Sequence, residues 1–133
     1  MYRDKTTLSA LIVSSSQKAA DYLHDILSKL RFSPVAEAVS IADAKRRQLE
    51  NQFDLVLINA PLPDDFGIEF AESLCTDSSV GVLLFVKAEL LEQVSYKVED
   101  YGVLTFPRPG TRQSITSAIR LAAATPNRLS SAL

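Results

Sequence analysis

The stretch DLVLINAPLPDDFG, residues 54–67, decides the fold. Its first six residues form an apolar run without period-two alternation, the pattern of a parallel strand covered on both faces. Prolines and aspartates then mark a loop, and Gly67 opens GIEFAESL, whose apolar spacing is helical. The strand ends on an amide, Asn59, and that choice of residue has to be explained.

Three more runs read the same way: SALIV (9–13), VGVLLFV (80–86) and GVLTF (102–106). SPVAEAV (33–39) is a weaker fifth strand, suited to an edge. Between them, QKAADYLHDILSKL places Ala20, Leu23, Ile26, Leu27 and Leu30 on one helical face, and IADAKRRQLE, IEFAESL and ELLEQVSYKVEDY repeat that spacing more briefly. Alternation of strand and helix implies right-handed crossovers and an open parallel sheet with helices on both faces. Ligands of such sheets bind beyond the carboxyl ends of the strands, which makes Ser14, Ser15, Ser16, Asn59, Lys87, Phe106 and Pro107 the residues to read.

Composition narrows the classes of function. The 133 residues, 47% of them hydrophobic, fit one domain with a substantial core. Fourteen basic against sixteen acidic residues leave a formal charge of −2, so no broad positive field attracts nucleic acid or an anionic membrane. The lone Cys75 excludes an internal disulfide and reads as a small buried hydrophobe. The opening MYRDKTTLSA has no secretory pattern, and no apolar run approaches the ~20 residues of a membrane span, so a cytoplasmic protein is expected. KRRQ (45–48) and the single His24 read as solvated helix positions. No nucleophile elbow, metal cluster or dinucleotide glycine motif is present, so neither a metal, a cofactor nor an enzymatic activity is expected.

FDLVLINAPLPDDFGIEFAESL resembles the centre of a response-regulator receiver domain, in which a strand D-L-V-L-L-D is followed by proline four residues on and glycine eight residues on, here Pro63 and Gly67. The resemblance extends over most of the chain. LIVSSS stands where receivers carry an acidic pair, LLFVKAE where a strand ends in Thr or Ser and then Ala, and LTFPRPG where they carry Lys-Pro. It implies a flavodoxin-like α/β fold, five parallel strands in the order 2-1-3-4-5, over residues 1–125, with 126–133 a tail or the start of a linker. Pro126 is expected to break the last helix.

Phosphoryl transfer to a receiver needs an aspartate acceptor, two more carboxylates for Mg²⁺, a hydroxyl and a lysine. On this alignment Asn59 replaces the acceptor, Ser14 and Ser15 the acidic pair, Lys87 the hydroxyl, Phe106 the lysine and Val103 the aromatic switch residue. The resemblance therefore implies a pseudo-receiver that works in two-component signalling without phosphorylation or a phosphorelay step of its own. Its pocket would carry at most one positive charge, with Lys87 turned inward toward the hydroxyls or toward Asp64 or Asp65, the alternative being an outward Lys87 with its stem on apolar surface and its head solvated. Both aspartates read as N-terminal caps of the GIEFAESL helix.

LTFPRPGTRQSITSAIRLAAAT is most similar to the end of receivers in ANTAR-type antitermination regulators. That implies an RNA-binding output module or other protein partner downstream, with no nucleic-acid or membrane contact by this domain. Homodimerisation is expected through Leu90, Leu91, Val94 and Val98, with burial of the same four in the core as the competing reading. The alternative function is a flavodoxin-like module that binds a small ligand or anion, since SSSQKAA offers hydroxyls at a helix start; against it, Ser16 reads as a simple helix cap.

Overall fold

The computed structural model describes residues 7–77 and 79–132. Five strands, β1 (Ala10–Val13), β2 (Val35–Ala38), β3 (Leu55–Asn59), β4 (Gly81–Lys87) and β5 (Leu104–Arg108), alternate with five helices. These are α1 (Gln17–Lys29), α2 (Ile41–Glu50), α3 (Ile68–Asp77), α4 (Leu91–Val98, flanked by 3₁₀ turns) and α5 (Arg112–Ala132). The strands form one parallel sheet in the order β2-β1-β3-β4-β5, the flavodoxin-like order expected.

Burial explains the unalternating apolar runs. All four residues of β1, the first four of β3 and the first six of β4 are buried. Alternate side chains go to opposite faces. Ile12, Leu57, Leu83 and Phe85 join the buried residues of α1 and α5, whereas Leu11, Val56, Ile58 and Leu84 join those of α2, α3 and α4. Polar residues are therefore confined to the strand ends. β2 is one edge, as its weaker pattern indicated.

The other edge corrects the sequence reading. GVLTF was expected to end at Phe106 because proline cannot donate to a sheet ladder, yet β5 begins at Leu104 and continues through Pro107 to Arg108. Pro107 pairs with Val86 on the strand's only neighbour, and on an edge the missing N–H costs no ladder bond on the open side. Two residues of register follow from this: Lys87 is opposite Arg108, and Phe106 is opposite Phe85.

In α4, Val94 and Val98 are core residues, and half-buried Leu90 and Leu91 pack against the same cluster, in line with the competing core reading. The exposed apolar surface of this region is instead Tyr96, 81% accessible, and Tyr101, 48%. Cys75 packs against that cluster too, and burial pushes its thiol up to about 11, as suits an inert side chain.

Pro126 does not end the last helix; α5 continues to Ala132, and Leu133 lies outside the described residues. The Ala122 carbonyl, whose helical donor would be residue 126, points at Gly81 instead. A Cβ there would stand 2.2 Å from the Ala122 oxygen and 2.9 Å from its carbonyl carbon. Both obstacles are backbone, so neither can yield by a rotamer change. Gly81→Ala is expected to cost roughly 1–3 kcal/mol, the range for overpacking, measured as a shift in urea midpoint against the parent. A loss below about 0.5 kcal/mol, the scale of an ordinary surface change, would contradict the close approach of α5 to β4.

Candidate functional site

Three strand ends meet at Asn59. It is the last residue of β3, half-buried, and its side-chain nitrogen donates to the Ser14 hydroxyl at 3.1 Å. Ser14 follows β1 and is buried; its hydroxyl also accepts from the Ser16 backbone N–H at 3.1 Å and donates to the Ser16 carbonyl at 3.1 Å. One donor and two acceptors exhaust a hydroxyl, so Ser14 is saturated within the protein. From β5, the Arg108 guanidinium donates to the side-chain oxygen of Asn59. The amide is thus held on both sides, with an acceptor on β1 and a cation on β5.

Ser16 caps α1, accepting from the Ala19 N–H at 3.2 Å, as its position before the helix suggested. Ser15 is exposed. The serine-rich loop therefore spends its two inner hydroxyls on its own backbone and on Asn59.

Arg108 was missed by the sequence reading, which placed Phe106 at this point. Phe106 packs edge-on against Phe85, with ring centroids 5.7 Å apart, and the two-residue shift of β5 brings Arg108 to the strand end. Val103 is a core residue just before the strand. The signal lay in LTFPRPG, which contains two residue-proline steps and one basic side chain.

Lys87 does not turn inward. It is exposed and makes no hydrogen bond or ion pair with a described residue. The register gives the reason: Lys87 and Arg108 are directly opposed on neighbouring strands, and like charges so placed repel. The neutral amide accepts one cation, and Arg108 is that cation. The net positive sign expected of the pocket is present, carried by a different residue.

Asp64 also departs from expectation. It caps α2 and not α3, accepting from Ile41 N–H at 3.0 Å and Ala42 N–H at 2.9 Å. The Ser40 hydroxyl takes the Asp43 N–H, so the free donors of Ile41, Ala42 and Asp43 at that helix start are all satisfied. Asp65 accepts from the Gly67 N–H at 3.0 Å, a turn bond in the loop just before α3, and among the described residues it bonds no N–H of that helix. The two bonds at α2 hold the Asp64 carboxyl below the ordinary Asp value of 3.8. Elsewhere, His24 is half-buried and contacts Glu37 at 3.0 Å, so it is not merely solvated, and Arg46 of the KRRQ run pairs with Asp43.

Mg²⁺, which a phosphorylatable receiver needs, does not fit these donors. Ser14, Ser15 and Asn59 are neutral, a guanidinium covers the amide oxygen, and both nearby aspartates serve backbone N–H groups. Among the described residues no group of three His, Cys, Asp or Glu side chains is placed to hold a metal ion, and no helix is long and apolar enough to cross a membrane.

No protein-family model matches the chain, nor does any curated protein sequence. Solved structures do. The signal receiver domain of an HD domain-containing protein from Pseudomonas fluorescens Pf-5 is 19% identical with a TM-score of 0.82, covering 100% of this chain and 98% of that one. The CheY-like response regulator receiver domain protein of Methanospirillum hungatei JF-1 is 17% identical, TM-score 0.78, over 92% and 98%. Adenylate cyclase from Rhodopirellula baltica is 18% identical, TM-score 0.80, over 94% and 93%. The fold is that of receiver domains.

Because the Asp64 carboxyl is lowered in the folded state, its stabilisation is complete above the ordinary value of 3.8 and is lost as pH falls through the lower folded value. Asp64→Asn is expected to lower Tm at neutral pH and to make the decline of Tm below pH 3.8 shallower than in the parent. Parallel acid limbs for the two proteins would contradict the assigned bonds.

Proposed function

We propose that the chain is a pseudo-receiver: a non-enzymatic, phosphorylation-independent receiver domain of a bacterial, cytoplasmic response regulator that acts through protein contact. One observation carries the reading. At the position where a receiver presents its acceptor aspartate, Asn59 is an amide bonded to Ser14 and to Arg108. An amide cannot form an acyl phosphate, and a guanidinium already neutralises the polarity that phosphorylation would change. The site holds one fixed arrangement by hydrogen bonds alone.

A domain with a fixed site still positions other modules. The surface for a second copy or a protein partner is the α4–β5 edge, where Tyr96 and Tyr101 are exposed with Lys97 and Glu99 between them in the chain, and aromatic residues among charges suit an interface. The unbroken α5, passing Pro126, suits a helical connection to an output module, and the similarity of its sequence to ANTAR-type regulators favours an RNA-binding antitermination module there.

Incubation with acetyl phosphate and MgCl₂, followed by intact-mass measurement, tests the reading. No phosphoryl gain and no saturable Mg²⁺ binding at millimolar concentration are expected. A phosphoryl group mapped to Asp64 or Asp65 would overturn it by showing that the acceptor has moved to the neighbouring loop.

A further inference from the structure

On the α1–α5 side of Asn59 lies a cavity of about 260 Å³ that neither the receiver fold nor the pseudo-receiver reading uses. Its walls are Tyr22 and Leu23 of α1, Phe85 of β4 and Ile115 of α5, and Asn59 and Arg108 supply its polar residues. We infer that it is a binding site for a small monocarboxylate with a flat apolar body, an aryl carboxylate being the simplest class. The inference goes beyond the pseudo-receiver reading and does not depend on it.

Charge selects the anion. Arg108 is half-buried and has no carboxylate partner among the described residues, and only one of its donors is spent, on Asn59. A partly desolvated guanidinium without a counter-ion is costly, and its remaining donors match a carboxylate. Acids of α1, β2 and the β3–α3 loop have partners of their own: Asp25 holds Arg112 at 2.7 Å and Lys29 at 3.6 Å, Asp21 accepts from Gln17, Glu37 faces His24, and Asp64 caps α2. A carboxylate ligand would supply Arg108 with a counter-ion.

Size and lining select the body. Ligand sites commonly run from ~300 Å³ upward, so this one suits one or two rings. Arg108 is the one charged residue of the lining, with Asn59 beside it, and a single cation matches a monoanion better than a phosphate that needs several charged donors. The aromatic walls are held in place: the Tyr22 ring lies under the Arg112 guanidinium, 6.0 Å from its centroid, and Phe85 packs edge-on with Phe106. Gly110, also in the lining, has no room for a side chain, because a Cβ would stand 2.3 Å from the Phe106 ring. The cavity is therefore shaped by fixed groups.

Titration of the ¹⁵N-labelled protein with benzoate, followed by amide chemical shifts, tests the inference. Saturable shifts at Tyr22, Gly110 and Ile115 are expected in the millimolar range suited to so small a fragment. Benzamide, the neutral analogue, should bind at least roughly tenfold more weakly, as should benzoate to Arg108→Gln, because each loses a charge-assisted pair. Ala19→Leu keeps Arg108 but fills the cavity from α1, and it should abolish the response. Absence of saturable shifts with benzoate would overturn the inference, as would undiminished binding to Ala19→Leu. So would inorganic phosphate giving the same shifts at the same affinity, which would mean simple attraction of anions to Arg108. If Arg108→Gln does not fold, benzamide and Ala19→Leu decide.

Discussion

The structure depends on burying both faces of its three central strands. β1, β3 and β4 carry no polar side chain between their ends, so every polar interaction of the sheet is pushed to the rim. At the carboxyl rim, Ser14, Asn59 and Arg108 converge because each stands at or just past the end of its strand. Their hydrogen bonds are the local answer to a general requirement, that polar groups taken from water be paired. The same requirement fixes the loop after β3, where Asp64 satisfies two backbone donors of α2 and Asp65 one in the loop itself.

The sequence showed the parts governed by local pattern. Unalternating apolar runs located four strands and the weaker edge, the helical faces were those seen, and the amide at Asn59 and the serines after β1 stood where they were expected. What it did not show depends on neighbours. Pro107 looks like a strand terminator until β5 is known to be an edge, and ending the strand there displaced the basic residue from Arg108 to Phe106. Lys87 looked free to enter the pocket because Phe106 was read at the place that Arg108 occupies. The aspartates of the β3–α3 loop read as caps of α3, and only the packing of that loop beside α2 reveals that Asp64 caps α2 while Asp65 closes a turn. Leu90, Leu91, Val94 and Val98 are apolar whether they face the core or a partner, and sequence alone does not separate the two.

These corrections alter the electrostatics of the site more than its outline. A cluster of carboxylates needs a dication to relieve repulsion, whereas Ser14, Asn59 and Arg108 form a chain of donors and acceptors with one positive charge and no such need. The chain is closed at Ser14 and open at Arg108, which also lines the α1–α5 cavity. A site of this kind is a fixed structural element on one side and an anion receptor on the other.

The central claim is that this cluster was changed as a whole, so that restoring a single atom does not restore the chemistry. The direct test is Asn59→Asp treated with acetyl phosphate and MgCl₂. The account predicts a folded protein with no phosphoryl gain, because the new carboxylate pairs with Arg108 while Ser14 and Ser15 still provide no charge for Mg²⁺. A phosphoryl group at position 59 would contradict it and show that the rest of the receiver machinery is intact.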